Sequence, residues 1–275
     1  MTDEPINRDL AEVALTLRMH AVRMVHRAKA SHLGSCLSMA DLITCLYWDT
    51  LRIDPEHPEN PERDRFILSK GHAAALLYAA LAERGFFPTV YLETYNQTGS
   101  SLTGHVNSDV TGVELSTGSL GHGLSVGCGL ALAAKREGRL YRTFVLVSDG
   151  ELDEGSNWEA ILFAPHHKLD NLVLIVDYNQ IQSFGRVKEV LELHPLAAKF
   201  RSFNWAVAEV DGHDLSAIQA ALASIPSAPD KPTVLLAHTI KGKGVSFMED
   251  QLMWHYKSPS DEQLQLALKE LEASR

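Results

Sequence analysis

From Phe144 onward the chain alternates short, largely apolar runs with helix-length stretches, and this rhythm constrains the fold more than any other feature. FVLVS (144–148) precedes NWEAILFAPHHKL (157–169), and NLVLIVD (171–177) comes next. WAVAEV (205–210) and TVLLAHT (233–239) follow, with a helical stretch over about 214–225 between them. Apolar runs of strand length without polar alternation are buried on both faces, so the pattern predicts an α/β fold, a parallel sheet flanked by helices. Upstream, a helix is predicted over about 8–30, with Leu10, Val13, Leu17 and Val25 near one face. A second helix runs from a Ser38 cap to about Leu51. RFILS (65–69) reads as a strand and 73–84 as a helix closed by Gly85. Residues 95–121 read as loop, and 122–136 as a helix whose Gly, Ser and Ala residues imply close packing. With no repeat and no linker, one domain over 1–275 is the simplest organisation.

In parallel sheets, ligands collect at the carboxyl ends of the strands. Polar residues stand at those ends here: Asp149, Asp177 and Asn179, Asp211 and His213, and His238. A net charge of −10 argues against a nucleic-acid partner. No apolar stretch is long enough for a membrane helix. The acidic start MTDEPINRDL has no signal-peptide core. Cys36, Cys45 and Cys128 have no metal-ligand spacing and read as buried, reduced thiols of a cytoplasmic protein.

Two fragments carry the first chemistry. Ser148-Asp149-Gly150-Glu151 follows one strand, and Tyr178-Asn179-Gln180-Ile181 follows the next. If the strands are neighbours, the Asp149 carboxylate and the Asn179 amide oxygen converge, as a hard divalent cation completed by diphosphate oxygens requires. The same fragments also suit an ordinary Asp-Gly turn and an Asn loop cap. Among thirteen histidines, four lie in loops: His32, His72 and His105 beside small residues, and His255 in Met-Trp-His-Tyr-Lys. Imidazole is both donor and acceptor near neutral pH, so such a set can relay protons and bind sugar hydroxyls.

Taken together these fragments resemble the transketolase family along nearly the whole chain. Ser31-His32-Leu33-Gly34 is similar to its early GHPG, DRFILSKGHA (64–73) to DRFxLSxGHA, and Gly104-His105 with ELSTGSLGHG (114–123) to GH…TTGPLGQG. HTIKGKG (238–244) and Trp254-His255 resemble the end of the family's cofactor domain. Ser148-Asp149-Gly150, with 28 residues before Asn179, resembles the thiamine-diphosphate signature. Ser148 departs from its first glycine, and His122 from a usual glutamine.

The resemblance implies the thiamine-diphosphate-binding fold and ketol transfer between a ketose phosphate and an aldose phosphate. It implies that Asp149, Asn179 and the Ile181 carbonyl bind Mg²⁺ or Ca²⁺. His72, Gly118, Leu120, Gly150, Asn179 and Lys243 would meet the cofactor, and Glu154 would lie near a subunit interface where it communicates with the opposite cofactor site. His32, His72, His105 and His255 would line the substrate channel. It covers only the family's N-terminal domain, so a separate C-terminal subunit, two copies of each chain, is expected to complete the site. The alternatives are a specialised sugar substrate, a non-catalytic paralogue and a 2-oxo-acid dehydrogenase α subunit.

Overall fold

The computed structural model describes residues 9–274; the MTDEPINR segment and Arg275 lie outside the described residues. Five strands form one sheet in which every neighbouring pair is parallel: β1 (Arg65–Leu68), β2 (Thr143–Ser148), β3 (Leu172–Tyr178), β6 (Ala206–Asp211) and β7 (Thr233–His238), ordered β1-β2-β3-β7-β6. Alternate side chains divide between two cores. Phe66, Phe144, Leu146, Val173, Ile175 and Leu235 face α1 (Leu10–Ala28), α3 (Ala40–Cys45), α4 (Ala74–Arg84) and α9 (Leu215–Ala223). Ile67, Val145, Val147, Leu174, Val176 and Leu236 face α5 (Gly123–Glu137), α6 (Gly155–His166) and α8 (Leu196–Ser202). This two-sided burial is what the unbroken apolar runs demand. α10 (Asp261–Ala273), opened by a Ser260 capping box, closes over α1.

The small-residue face of α5 has the expected consequence. A Cβ on Gly127 would collide with the Val145 side chain, and one on Gly123 with that of Ser69. The three cysteines are buried and free, and burial pushes the Cys36 thiol up to about 11 and those of Cys45 and Cys128 to about 12. Among the described residues no helix is long and apolar enough to cross a membrane.

One local expectation needs correction, and one segment holds elements beyond those expected. Ser38 caps no helix: it ends the short α2 (Leu33–Ser38), and its hydroxyl donates to the Ser35 carbonyl and to Asp177. The helix beyond it is α3, which runs into a π-turn at Leu46–Thr50. Residues 181–202 hold elements with no sequence signal: a two-stranded ribbon of β4 (Ile181–Gln182) and β5 (Gly185–Arg186), the single turn α7 (Val187–Val190), and α8. Strands of two residues are too short for any periodicity to register.

Candidate active site

β2 and β3 are adjacent, with Ser148 opposite Asp177, so their exits lie side by side. Asp149, the first residue past β2, is 1% exposed. Its Oδ1 accepts from the Gly150 N–H at 2.7 Å and its Oδ2 from the Gln180 N–H at 2.5 Å. Past β3, Gln180 takes a left-handed backbone (φ 63°), which turns the chain so that Asn179 Oδ1 accepts from the Ile181 N–H. Gly150 lies tight against this turn, since a Cβ there would sit 2.6 Å from that of Gln182. Ser148 keeps the extended backbone of β2, and its Oγ accepts from the Glu151 N–H.

Burial, and then the neighbouring Asp177, push the Asp149 carboxyl up to about 7. A carboxylate held in such a place favours a cation. Among the described residues no three His, Cys, Asp or Glu side chains form a metal cage. Asp149, Asn179 and Ile181 line one cavity, and their carboxylate, amide oxygen and carbonyl could form a half-shell for a cation such as Mg²⁺ or Ca²⁺, with phosphate oxygens and water completing it.

Beneath the half-shell lies a buried ion pair that sequence reasoning did not single out. Lys70, in the turn after β1, pairs with Asp177, and both side chains are fully buried. Lys70 Nζ also donates to the Ser35 carbonyl, and Asp177 accepts from the Ser38 and Thr239 hydroxyls. Glu151 joins the surrounding loops: its Oε1 accepts from Ser69 Oγ at 2.5 Å and from the Gly121 N–H at 2.9 Å.

The four loop histidines converge from separate segments. The His32 ring centroid lies 5.0 Å from those of His72 and His255 and 5.7 Å from that of His105, and His72 and His255 are 5.6 Å apart. Burial, then the positive neighbours, lower the His32 imidazole to about 4 and that of His255 to about 3, and hold His72 well below its usual value. These three rings are neutral at physiological pH. His32 has a left-handed backbone (φ 70°), and its N–H donates to the His255 carbonyl.

A cavity of about 90 Å³ joins the two groups, lined by His72, Leu120, Asp149, Asn179, Lys241 and His255 among others. Gly118 lies against His105, where a Cβ would come 2.9 Å from the ring. Glu154, expected near a subunit interface, is exposed at the start of α6. One expected cofactor residue is not brought here. Lys243 faces a different hollow and stands 3.5 Å from Glu249. The lysine that reaches the site is Lys241. It is 1% exposed, and its Nζ donates to the Ile181 carbonyl at 2.8 Å and bonds His255 Nδ1 at 3.0 Å. Burial lowers its ammonium to about 8. A larger hollow, about 880 Å³, lies over Arg27 and residues between Phe87 and Thr111 and contains none of these side chains.

The family model described as the transketolase thiamine diphosphate binding domain matches residues 10–271. The chain is 42% identical to one of the subunits of the apulose-4-phosphate transketolase of Phocaeicola vulgatus, over 92% of this chain and 90% of that protein. It is 40% identical to a 6-deoxy-6-sulfo-D-fructose transketolase subunit of a Clostridium species, over 96% of each. The transketolase structure from Leishmania mexicana superposes with a TM-score of 0.91 at 29% identity, covering 96% of this chain. The chain spans only 41% of the length of that solved enzyme.

Proposed function

Because this chain belongs to the transketolase family, as its thiamine diphosphate binding domain, we propose that it is one half of a two-chain ketol transferase. With thiamine diphosphate and Mg²⁺ (or Ca²⁺), and with a separate C-terminal subunit in an assembly of two copies each, it moves a two-carbon ketol unit from a ketose phosphate to an aldose phosphate in the cytoplasm. The observation that carries this reading is the convergence of His32, His72, His105 and His255 beside the Asp149, Asn179 and Ile181 half-shell. A cavity of about 90 Å³ is small beside the roughly 300–1,000 Å³ of whole-ligand sites. It suits a cation and a diphosphate end, which leaves the rest of the cofactor to be covered by other protein.

Thiamine diphosphate, when bound, supplies the nucleophilic carbon and the electron sink. The chain's own residues do the rest. Asp149, Asn179 and the Ile181 carbonyl hold the cation, while Lys241 and His72 face the diphosphate. A neutral imidazole of the cluster accepts the proton of the sugar hydroxyl beside the bond that breaks. The resulting imidazolium is buried, and the same loss of solvation that keeps these rings neutral favours return of the proton to the acceptor oxygen.

A second reading, a specialised sugar substrate, draws support from the relatives named for apulose 4-phosphate and 6-deoxy-6-sulfo-D-fructose. The test mixes this chain with a C-terminal transketolase subunit from the same source and assays ketol transfer from xylulose 5-phosphate, apulose 4-phosphate and 6-deoxy-6-sulfo-D-fructose. Transfer only in the mixture supports the two-chain enzyme, and the preferred donor decides between the readings. Transfer by this chain alone overturns the shared site.

A further inference from the structure

Lys241 is clamped from both sides. The Ile240 N–H donates to His213 Nε2 at 2.8 Å, and His213 Nδ1 is in turn bonded to Asp41, which is paired with Arg18. On the other side the Gly242 N–H donates to the Gly34 carbonyl at 3.0 Å. The buried ammonium between these anchors therefore has a fixed position, 3.0 Å from His255 Nδ1. An ammonium has donors only, so the nitrogen it bonds must accept. A neutral imidazole carries one ring proton, and an accepting Nδ1 leaves that proton on Nε2.

We infer that Lys241 is a positioning residue that fixes His255 in its Nε2–H tautomer, so that the ring meets substrate as a hydrogen-bond donor. The tautomer follows from the lysine contact, and only the word substrate rests on the proposed ketol transfer. A division of labour follows. His255 stabilises negative charge growing on a sugar oxygen, and proton acceptance falls to another ring of the cluster. His213 provides the opposite case in the same molecule. Its Nε2 accepts from a backbone N–H, which can only donate, so its proton sits on Nδ1, toward Asp41.

Long-range ¹H–¹⁵N spectra of the histidine rings in the ¹⁵N-labelled chain at pH 7 test this, with the two rings assigned through His255→Asn and His213→Asn. The expected result is an unprotonated Nδ1 and protonated Nε2 for His255, and the reverse for His213. Lys241→Arg, which still presents only donors, retains the His255 pattern, whereas Lys241→Met converts it to averaged tautomers. In the two-chain mixture Lys241→Met lowers kcat/KM roughly fivefold or more, and Lys241→Arg restores part of it. A protonated Nδ1 on His255 in the wild-type chain overturns the inference whether or not any variant folds, as does a Lys241→Met spectrum identical to wild type. Absence of ketol transfer from a mixture whose spectra show the expected pattern overturns the functional reading instead and leaves the tautomer assignment standing.

Discussion

Replacing Lys70 by Met tests whether the buried ion pair supports the site from below. Methionine keeps the length of the apolar stem and removes the ammonium, with its bonds to Asp177 and to the Ser35 carbonyl. Asp177 then retains the Ser38 and Thr239 hydroxyls but loses its counter-charge, in a position that water does not reach. Removing one partner of a buried pair costs about 3–5 kcal/mol. The two hydroxyl donors that remain place this case near the lower figure, about 3 kcal/mol. For a chain of this size each kcal/mol moves the melting temperature by roughly 2–4 °C, so Lys70→Met should melt about 6–12 °C below wild type. The assay is thermal and urea unfolding followed by circular dichroism at fixed protein concentration. Lys70→Met combined with Asp177→Asn should recover most of the loss, because the uncompensated charge is gone. A single variant within about 1 kcal/mol of wild type, or a double variant no better than the single, would refute the reasoning.

Other expectations follow from the same geometry. His32→Ala, His105→Ala and His255→Ala should each lower turnover, by roughly 10²–10⁴-fold where the ring carries a proton, with little change in melting temperature; unchanged steady-state rates in all three would remove the channel assignment. Asp149→Ala should abolish Mg²⁺-dependent retention of thiamine diphosphate on gel filtration, and tight retention by that variant would place the cation elsewhere. Gly71→Ala would put a Cβ 2.5 Å from the Thr117 carbonyl carbon and oxygen. Such overpacking should destabilise by about 1–3 kcal/mol, and urea unfolding indistinguishable from wild type would show that the loop gives way freely. Burial disfavours the Asp64 carboxylate, but its bonds from Arg52 and Arg142 hold it below the usual value. Its contribution is therefore present above the unfolded value of about 3.9 and lost as pH falls through the lower folded value. Asp64→Asn should flatten the loss of stability below about pH 4, and an equal slope in both proteins would count against the pair.

The sheet was legible because β2, β3 and β7 are apolar almost throughout, a pattern that little else produces at that length, whereas the edge strand β6 carries Glu209 and is only partly buried. The adjacency of β2 and β3 was not, since strand order is a property of the whole chain. Only the pairing of Ser148 with Asp177 turns the conditional convergence of Asp149 and Asn179 into geometry. Three of the histidines, His32, His72 and His105, were legible because each sits beside a glycine, alanine or serine, and His255 because its Trp-His pair resembles a family motif. The neutrality of His32, His72 and His255 was not, because it comes from burial among one another and beside Lys70 and Lys241. Lys70 itself lies inside a motif that stands out for its histidine, with nothing local to announce that Asp177, 107 residues away, is its partner.

The segment HTIKGKG shows where reading by type and spacing stops. Its two lysines are separated by a single glycine, and either could be written beside a diphosphate. The backbone decides between them. Gly242 takes a left-handed conformation (φ 83°), and a Cβ there would collide with the Met248 carbonyl oxygen, so the turn needs glycine. That turn sends Lys241 inward to Ile181 and His255 and leaves Lys243 near Glu249. The anchor that fixes the choice, His213, stands 27 residues before Ile240, at the exit of another strand. A residue's place in a motif therefore sets its chemistry, while the hydrogen bonds of its neighbours set its direction, and in this chain the second decides which lysine reaches the cavity of Asp149 and His255.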